Sequence, residues 1–134
     1  MPARVLLADD HPAVRKTLRA LLSEASVGIC GEAENGRQAV DKARELQPDV
    51  VVLDLVMPEM NGLEAAYEIR QCAPCSKIIL LSLHYSSHEG SALATSLRAD
   101  AFVHKSALAS DFLPTMARLL PATVGKPEAV LTGA

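Results

Sequence analysis

Five side chains in this sequence have the types and the spacing to do chemistry together: Asp9, Asp10, Asp54, Ser82 and Lys105. Each stands at the end of a short apolar run. Val5-Leu6-Leu7-Ala8 leads into Asp9-Asp10, and Val50-Val51-Val52-Leu53 leads into Asp54. Ile78-Ile79-Leu80-Leu81 ends at Ser82, and Ala101-Phe102-Val103-His104 ends at Lys105. Runs this short and this apolar predict strands covered on both faces, as in a parallel sheet. Open α/β sheets bind ligands in the crevice beyond the carboxyl ends of their strands. Taken singly, each residue fits a solvated strand end or a helix cap equally well. The set argues for a site.

Three carboxylates in one crevice pose an electrostatic problem. Two like charges ~4 Å apart repel by about 4 kcal/mol at an effective dielectric of roughly 20. Either one carboxylate takes up a proton, or a cation sits among them. An all-oxygen donor set suits a hard ion, and Mg²⁺ commonly takes one or two carboxylates, several waters and a phosphate. Ser82 adds a hydroxyl and Lys105 an ammonium, useful together when something anionic arrives between them and the metal. The chemistry predicted is Mg²⁺-assisted phosphoryl transfer.

The elements that must position these groups follow from periodicity. A helix after Asp10, with Pro12 in its first turn, carries Val14, Leu18, Leu21 and Leu22 on one face. A weaker strand over Val27 to Ala33, interrupted by Gly28 and Gly31, belongs nearer a sheet edge. Asn35-Gly36 opens a second helix whose face is Ala39, Val40, Ala43 and Leu46, and Pro48 closes it. Pro58 and Asn61-Gly62 make a turn into a third helix lined by Leu63, Ala66, Tyr67 and Arg70 and ended at Pro74. The stretch from Ser86 to Leu97 is helical but faintly amphipathic. A last helix, starting between Ser106 and Asp111, is expected to bury Leu113, Met116, Ala117 and Leu120 and to leave Phe112 and Leu119 exposed. From Pro121 onward Pro, Gly, Thr and Ala dominate, a linker composition.

Five strands alternating with five helices require a parallel sheet with right-handed crossovers and helices on both faces. For a chain of 134 residues the fold expected is flavodoxin-like α/β, with strand order 2-1-3-4-5. That order sets the first and third strands side by side and brings Asp9, Asp10 and Asp54 together. The composition agrees with one small domain whose core is aliphatic: 49% hydrophobic residues but only 3% aromatic. A net charge of −3 has the wrong sign for a domain that binds nucleic acid by itself. No apolar run approaches the ~20 residues of a membrane span. Three cysteines without a secretory signal predict a reducing, cytoplasmic setting.

Over Arg4 to Leu120 the chain resembles the receiver domain of the response regulators of bacterial two-component signal transduction. The resemblance rests on Ala8-Asp9-Asp10-His11, on Leu53-Asp54 with Met57-Pro58 and Asn61-Gly62, on Leu81-Ser82, and on Phe102-Val103-His104-Lys105. The Asp-Asp-His-Pro opening and the Leu-Ser-Leu-His segment are most like regulators of the LuxR/NarL type, which carry a helix-turn-helix after the receiver. The resemblance implies that Asp54 is the phosphoacceptor, taking its phosphoryl group from a sensor histidine kinase. Asp10 and Asp54 would ligate Mg²⁺ directly, Asp9 through water, and the backbone carbonyl of Val56 would complete the protein ligands. Lys105 would pair with a phosphoryl oxygen, Ser82 would swing onto another, and Phe102 would fill the space so opened. The readout face is then the fourth helix, fifth strand and fifth helix, where exposed Phe112 and Leu119 would favour a homodimer or an output contact. Beyond self-phosphorylation and slow autodephosphorylation, no enzymatic activity is implied. Residues 1–121 form the receiver, and 122–134 a linker or tail leading to a DNA-binding domain absent from this chain, or ending a single-domain regulator. A receiver fold used as a phosphorylation-independent interaction module is the alternative.

Some positions depart from frequent patterns of that family. Ser106 follows Lys105 where many receivers have Pro, which puts the usual cis peptide bond there in doubt. Phe102 stands where Tyr is commoner. Val56 and His84, two residues past Asp54 and Ser82, are not the amide and acid of fast-dephosphorylating members, so a long-lived phosphoryl group is expected.

Other constellations carry less. Cys72-Ala-Pro-Cys75 has redox spacing, but at a helix C-terminus the dipole opposes a thiolate, so these read as loop cysteines. His84 and His88 lie one turn apart without a third ligand and read as exposed polar residues, and His11 reads as a loop residue beside the acidic cluster. A flavodoxin-like electron carrier would need a Ser/Thr-rich phosphate loop where this chain has Asp9-Asp10. A phosphatase of the haloacid-dehalogenase type would want Asp two residues past its nucleophile, where this chain has Val56.

Overall fold

The computed structural model describes residues 3–120; the linker-like stretch 122–134 lies outside them. The elements alternate as β1 (Ala3–Ala8), α1 (Pro12–Leu22), β2 (Val27–Ala33), α2 (Gly36–Leu46), β3 (Val50–Asp54), α3 (Gly62–Cys72), β4 (Lys77–Ser82), α4 (Ser87–Ser96), β5 (Ala101–His104) and α5 (Leu108–Leu119). A 3₁₀ turn over Lys105–Ala107 joins β5 to α5. All strand pairs are parallel, in the order β2-β1-β3-β4-β5. This is the flavodoxin-like order that the pattern of runs predicts. β2, the strand with two glycines, is an edge strand, and its pairing with β1 shifts register between Val5 and Leu6.

Strand alternation divides the core into two layers. Leu6, Val51, Leu53, Ile78 and Leu80 face α2, α3 and α4. Val5, Leu7, Val50, Val52, Ile79 and Leu81 face α1 and α5. The three central strands are buried on both sides, which is why they read as unbroken apolar runs. Local chemistry starts several helices. Asn35 and Asn61 accept from the backbone amides of Gln38 and Glu64. Ser86 and Glu89 form a reciprocal capping box at the start of α4, which supplies what that helix lacks in amphipathicity.

Two helices bury a different face from the one periodicity suggests. Phe112 is fully buried, not exposed, and Leu119 is half-buried. The 3₁₀ turn sets the start of α5 at Leu108, so Leu108, Phe112 and Met116, spaced i, i+4, i+8, dock with Leu18 and Leu22 of α1 on the sheet. Leu113, Leu119 and Leu120 pack at the margin of that cluster. The apolar surface that favoured a homodimer through α5 is therefore largely internal. In α3 the buried residues are Gly62, Ala65, Ala66 and Ile69, while Tyr67 is exposed. Small residues prevail there because α3 lies against α2, whose own buried face is Gly36, Ala39, Val40 and Ala43.

Candidate functional site

Register carries the acidic groups to one place. Ala8 pairs with Leu53, so Asp9 and Asp54 emerge at the same level from adjacent strands. Leu81 pairs with Asp54, and Ser82 with His104, so Lys105 leaves β5 one residue above Ser82. The loop after β3 is held down at both ends. The Gly62 amide donates to the Leu55 carbonyl at 3.0 Å. A Cβ on Gly62 would stand 2.3 Å from the Asp54 carbonyl oxygen, so only glycine lets α3 begin against the strand end that bears Asp54.

One ligand atom from each of Asp9, Asp10, His11 and Asp54 lies within 4.8 Å of the others. Asp9 and Asp54 are buried, and Asp10 is partly so. The Lys105 side chain is only 7% exposed, and its ammonium lies 2.7 Å from Asp9 Oδ2 and 3.2 Å from Asp54 Oδ2. The second oxygens are used differently. Asp54 Oδ1 accepts from the Val56 amide at 3.2 Å, and Asp9 Oδ1 accepts from the His11 amide at 2.8 Å. Burial foremost, and then the charge of Asp9, push the Asp54 carboxyl above the usual aspartate range, against the pull of the Val56 amide and Lys105.

The donor set fits a hard divalent cation. Asp10 Oδ1 is buried and accepts no hydrogen bond, and Asp9 Oδ2 faces the Lys105 ammonium alone. Lys105 already meets the Asp9 oxygen, whereas a buried oxygen such as Asp10 Oδ1 is costly to leave unsatisfied unless a further cation meets it. Asp9, Asp10 and Asp54 supply the carboxylates that Mg²⁺ favours.

The remaining predicted residues fall around this centre. Ser82 is buried at the end of β4, where its Oγ accepts from the His84 amide at 2.9 Å. Phe102 pairs with Leu80 in the sheet and is half-buried against the α4 side, on the same face as Ser82 by alternation. Its ring lies over Gly90 of α4. Val56 is 49% exposed at the lip of the site. The peptide between Lys105 and Ser106 is trans. His84 and His88 are exposed, and Cys72 and Cys75 lie at and just after the C-terminal end of α3, by the amino end of β4 and away from the site.

Sequence reasoning passed over Arg15. Its Nη1 donates to the Asp9 carbonyl at 2.6 Å and its Nε to Glu32 at 2.9 Å, tying α1 and β2 to the strand end that carries the cluster. Arg19, one turn on, reaches the same Glu32. The one signal in the sequence was the spacing of two arginines along the polar flank of α1.

The site is an acidic crevice at the carboxyl ends of a five-stranded flavodoxin-like α/β sheet, and similarity to known proteins gives the family. The chain belongs to the response regulator receiver domain family, which it matches over residues 5–117. It is 46% identical over 82 residues to the chemotaxis protein CheY of Thermotoga maritima, covering 61% of this chain and 68% of that one. It is 38% identical over 117 residues to the nitrate/nitrite response regulator protein NarL of Escherichia coli K12, covering 86% of this chain. That match takes in 53% of NarL, so the chain spans about half the length of this relative. The crystal structure of a LuxR-family two-component response regulator from Aurantimonas superposes with a TM-score of 0.81 at 29% identity, over 98% of this chain and 94% of that one. Among the described residues no helix is long and apolar enough to cross a membrane.

Proposed function

We propose that this receiver domain accepts a phosphoryl group on Asp54 from the phosphohistidine of a sensor kinase and uses it to switch an output, in a cytoplasmic two-component system. The observation that carries this reading is the contact of Asp54 Oδ2 with Lys105 Nζ at 3.2 Å beside the fully buried Asp9. A nucleophile, a cation for the incoming oxygens and a second carboxylate then share one crevice. In the transfer, a carboxylate oxygen of Asp54 attacks phosphorus as the bond to the kinase imidazole nitrogen breaks, leaving an acyl phosphate. Bound Mg²⁺ supplies neutralisation of the phosphoryl oxygens, and Asp9, Asp10, Asp54 and the Val56 carbonyl would hold it.

Lys105 then exchanges its carboxylate contacts for a phosphoryl oxygen. The Ser82 hydroxyl leaves the His84 amide to donate to another, and Phe102 follows into the space that Ser82 vacates. The face formed by α4, β5 and α5 reports the change. Similarity to a protein described as a transcriptional regulatory protein and to a DNA-binding response regulator of the LuxR family supports a transcriptional output through a DNA-binding domain outside these 134 residues. Incubation with acetyl phosphate and Mg²⁺, read by intact mass, should add one phosphoryl group to the wild type and none to Asp54→Asn. Failure of the wild type to label would favour the phosphorylation-independent interaction module.

A further inference from the structure

The ring of His11 is drawn into the acidic cluster although it is largely exposed. Its Nδ1 lies 3.2 Å from Asp9 Oδ1 and 3.2 Å from Asp10 Oδ1. Adjacent donors on one small divalent ion, at bond lengths of about 2.1 Å, stand about 3.0 Å apart in octahedral and about 3.4 Å apart in tetrahedral geometry. Both imidazole spacings fall between those limits. Of the two carboxylates it touches, Asp9 is fully buried, and Asp10 Oδ1 is buried without a hydrogen bond. The His11 amide, bonded to Asp9 Oδ1 at 2.8 Å, keeps the ring close to this cluster.

We infer that His11 is the fourth side chain of this metal site, beside the three carboxylates, and that through its imidazole nitrogen the site takes borderline transition ions of the Co²⁺, Ni²⁺ and Zn²⁺ class. Hard Mg²⁺ engages oxygen donors and leaves the ring aside; borderline ions gain from imidazole. The exposure of the ring lets it join or leave without opening the fold. The inference rests on the metal site proposed above and adds to it a determinant of which ion that site prefers.

Titration of the full 134-residue chain with CoCl₂ and with MgCl₂ tests it, with affinities from isothermal calorimetry and the His11 ring followed by NMR. Comparison of variants with the wild type subtracts whatever the other histidines and the cysteines bind. His11→Gln and His11→Ala should each weaken Co²⁺ by at least about tenfold, the scale of losing a ligand or its support, while changing Mg²⁺ affinity by less than about twofold. In the wild type the His11 ring resonances should move strongly with Co²⁺ and little with Mg²⁺. Unchanged Co²⁺ affinity in both variants, or a parallel loss of Mg²⁺, would overturn the assignment. A wild type that binds Co²⁺ through His11 but shows no Mg²⁺ binding would sink the phosphoacceptor reading and leave the His11 assignment standing.

Discussion

A Cβ placed on Gly90 would stand 2.3 Å from the ring of Phe102, so the first turn of α4 and the side chain of β5 occupy space that a single methyl group would deny them. The contact links β5, whose end carries Lys105 into the acidic crevice, to α4. It involves the ring's Cγ as well as its outer edge, so rotation about the last bond does not relieve it.

Gly90→Ala should therefore push Phe102 outward. Overpacking of this kind costs about 1–3 kcal/mol, partly offset by up to about 1 kcal/mol of helix propensity gained over glycine. In a double-mutant cycle, Phe102→Ala should suppress most of the penalty of Gly90→Ala, because it removes the ring that the methyl group meets. Chemical denaturation of the four proteins measures it. Additive losses would show that the two residues are not coupled.

The raised pKa of Asp54 makes a signed prediction about stability. The folded chain holds the Asp54 proton more tightly than the unfolded chain does, so the stabilising contribution of this linkage is fully present below the unfolded value of 3.8 and lost as pH rises through the folded pKa. At pH 7 without metal the ionised group is a net burden. Asp54→Asn should then melt above the wild type in metal-free buffer at pH 7 to 8, with the gap closing as pH falls toward 4. A variant less stable than the wild type at pH 7 would mean that the Lys105 attraction outweighs burial. At a hundredfold excess over its Kd, Mg²⁺ should stabilise the wild type by about 2.7 kcal/mol and so narrow the same gap.

Phe112 tests the buried face of α5. Its ring is fully enclosed between the helix and the α1 side of the sheet. Phe112→Ala should cost about 3–5 kcal/mol, the range for deleting a core aromatic. Leu119→Ala, from a half-buried position, should cost clearly less. Urea denaturation separates them, and a Phe112→Ala loss under about 1 kcal/mol would be that of a surface residue.

The lip of the site predicts the lifetime of the phosphoryl group. Val56 presents an apolar side chain 49% exposed next to Asp54, and His84 is exposed beyond Ser82. Neither offers the amide and acid pair that would orient an attacking water. The acyl phosphate should outlast minutes after acetyl phosphate is removed, and Val56→Asn should shorten it. Loss of label from the wild type within seconds would refute this.

Much of the site was legible in the chain itself. A strand buried on both faces must be apolar along its whole length, so a polar residue that ends such a run marks the strand's end and a place in the crevice. That local rule located Asp9, Asp54 and Ser82, while Lys105 follows an edge strand buried on one face only; alternation of runs and helical periods required a parallel sheet, and the shortness of the chain its order. It failed where two apolar faces competed for one helix. In α5 the set Leu113, Met116, Ala117 and Leu120 has as good a period as Leu108, Phe112 and Met116, and only docking onto β5 and α1 chose between them. Likewise Tyr67 lost its place to Ala65 and Ile69 because α2 approaches too closely for a large ring.

What the tertiary structure alone decided are the contacts between groups distant in sequence. Arg15 grips the Asp9 carbonyl and Glu32, Phe102 meets Gly90, and Lys105 divides its charge between Asp9 and Asp54. Composition and period report what each segment buries, because burial is set by its own side chains. They are silent on partners, because a hydrogen bond or an ion pair depends on where two separate segments are brought by the packing of everything between them.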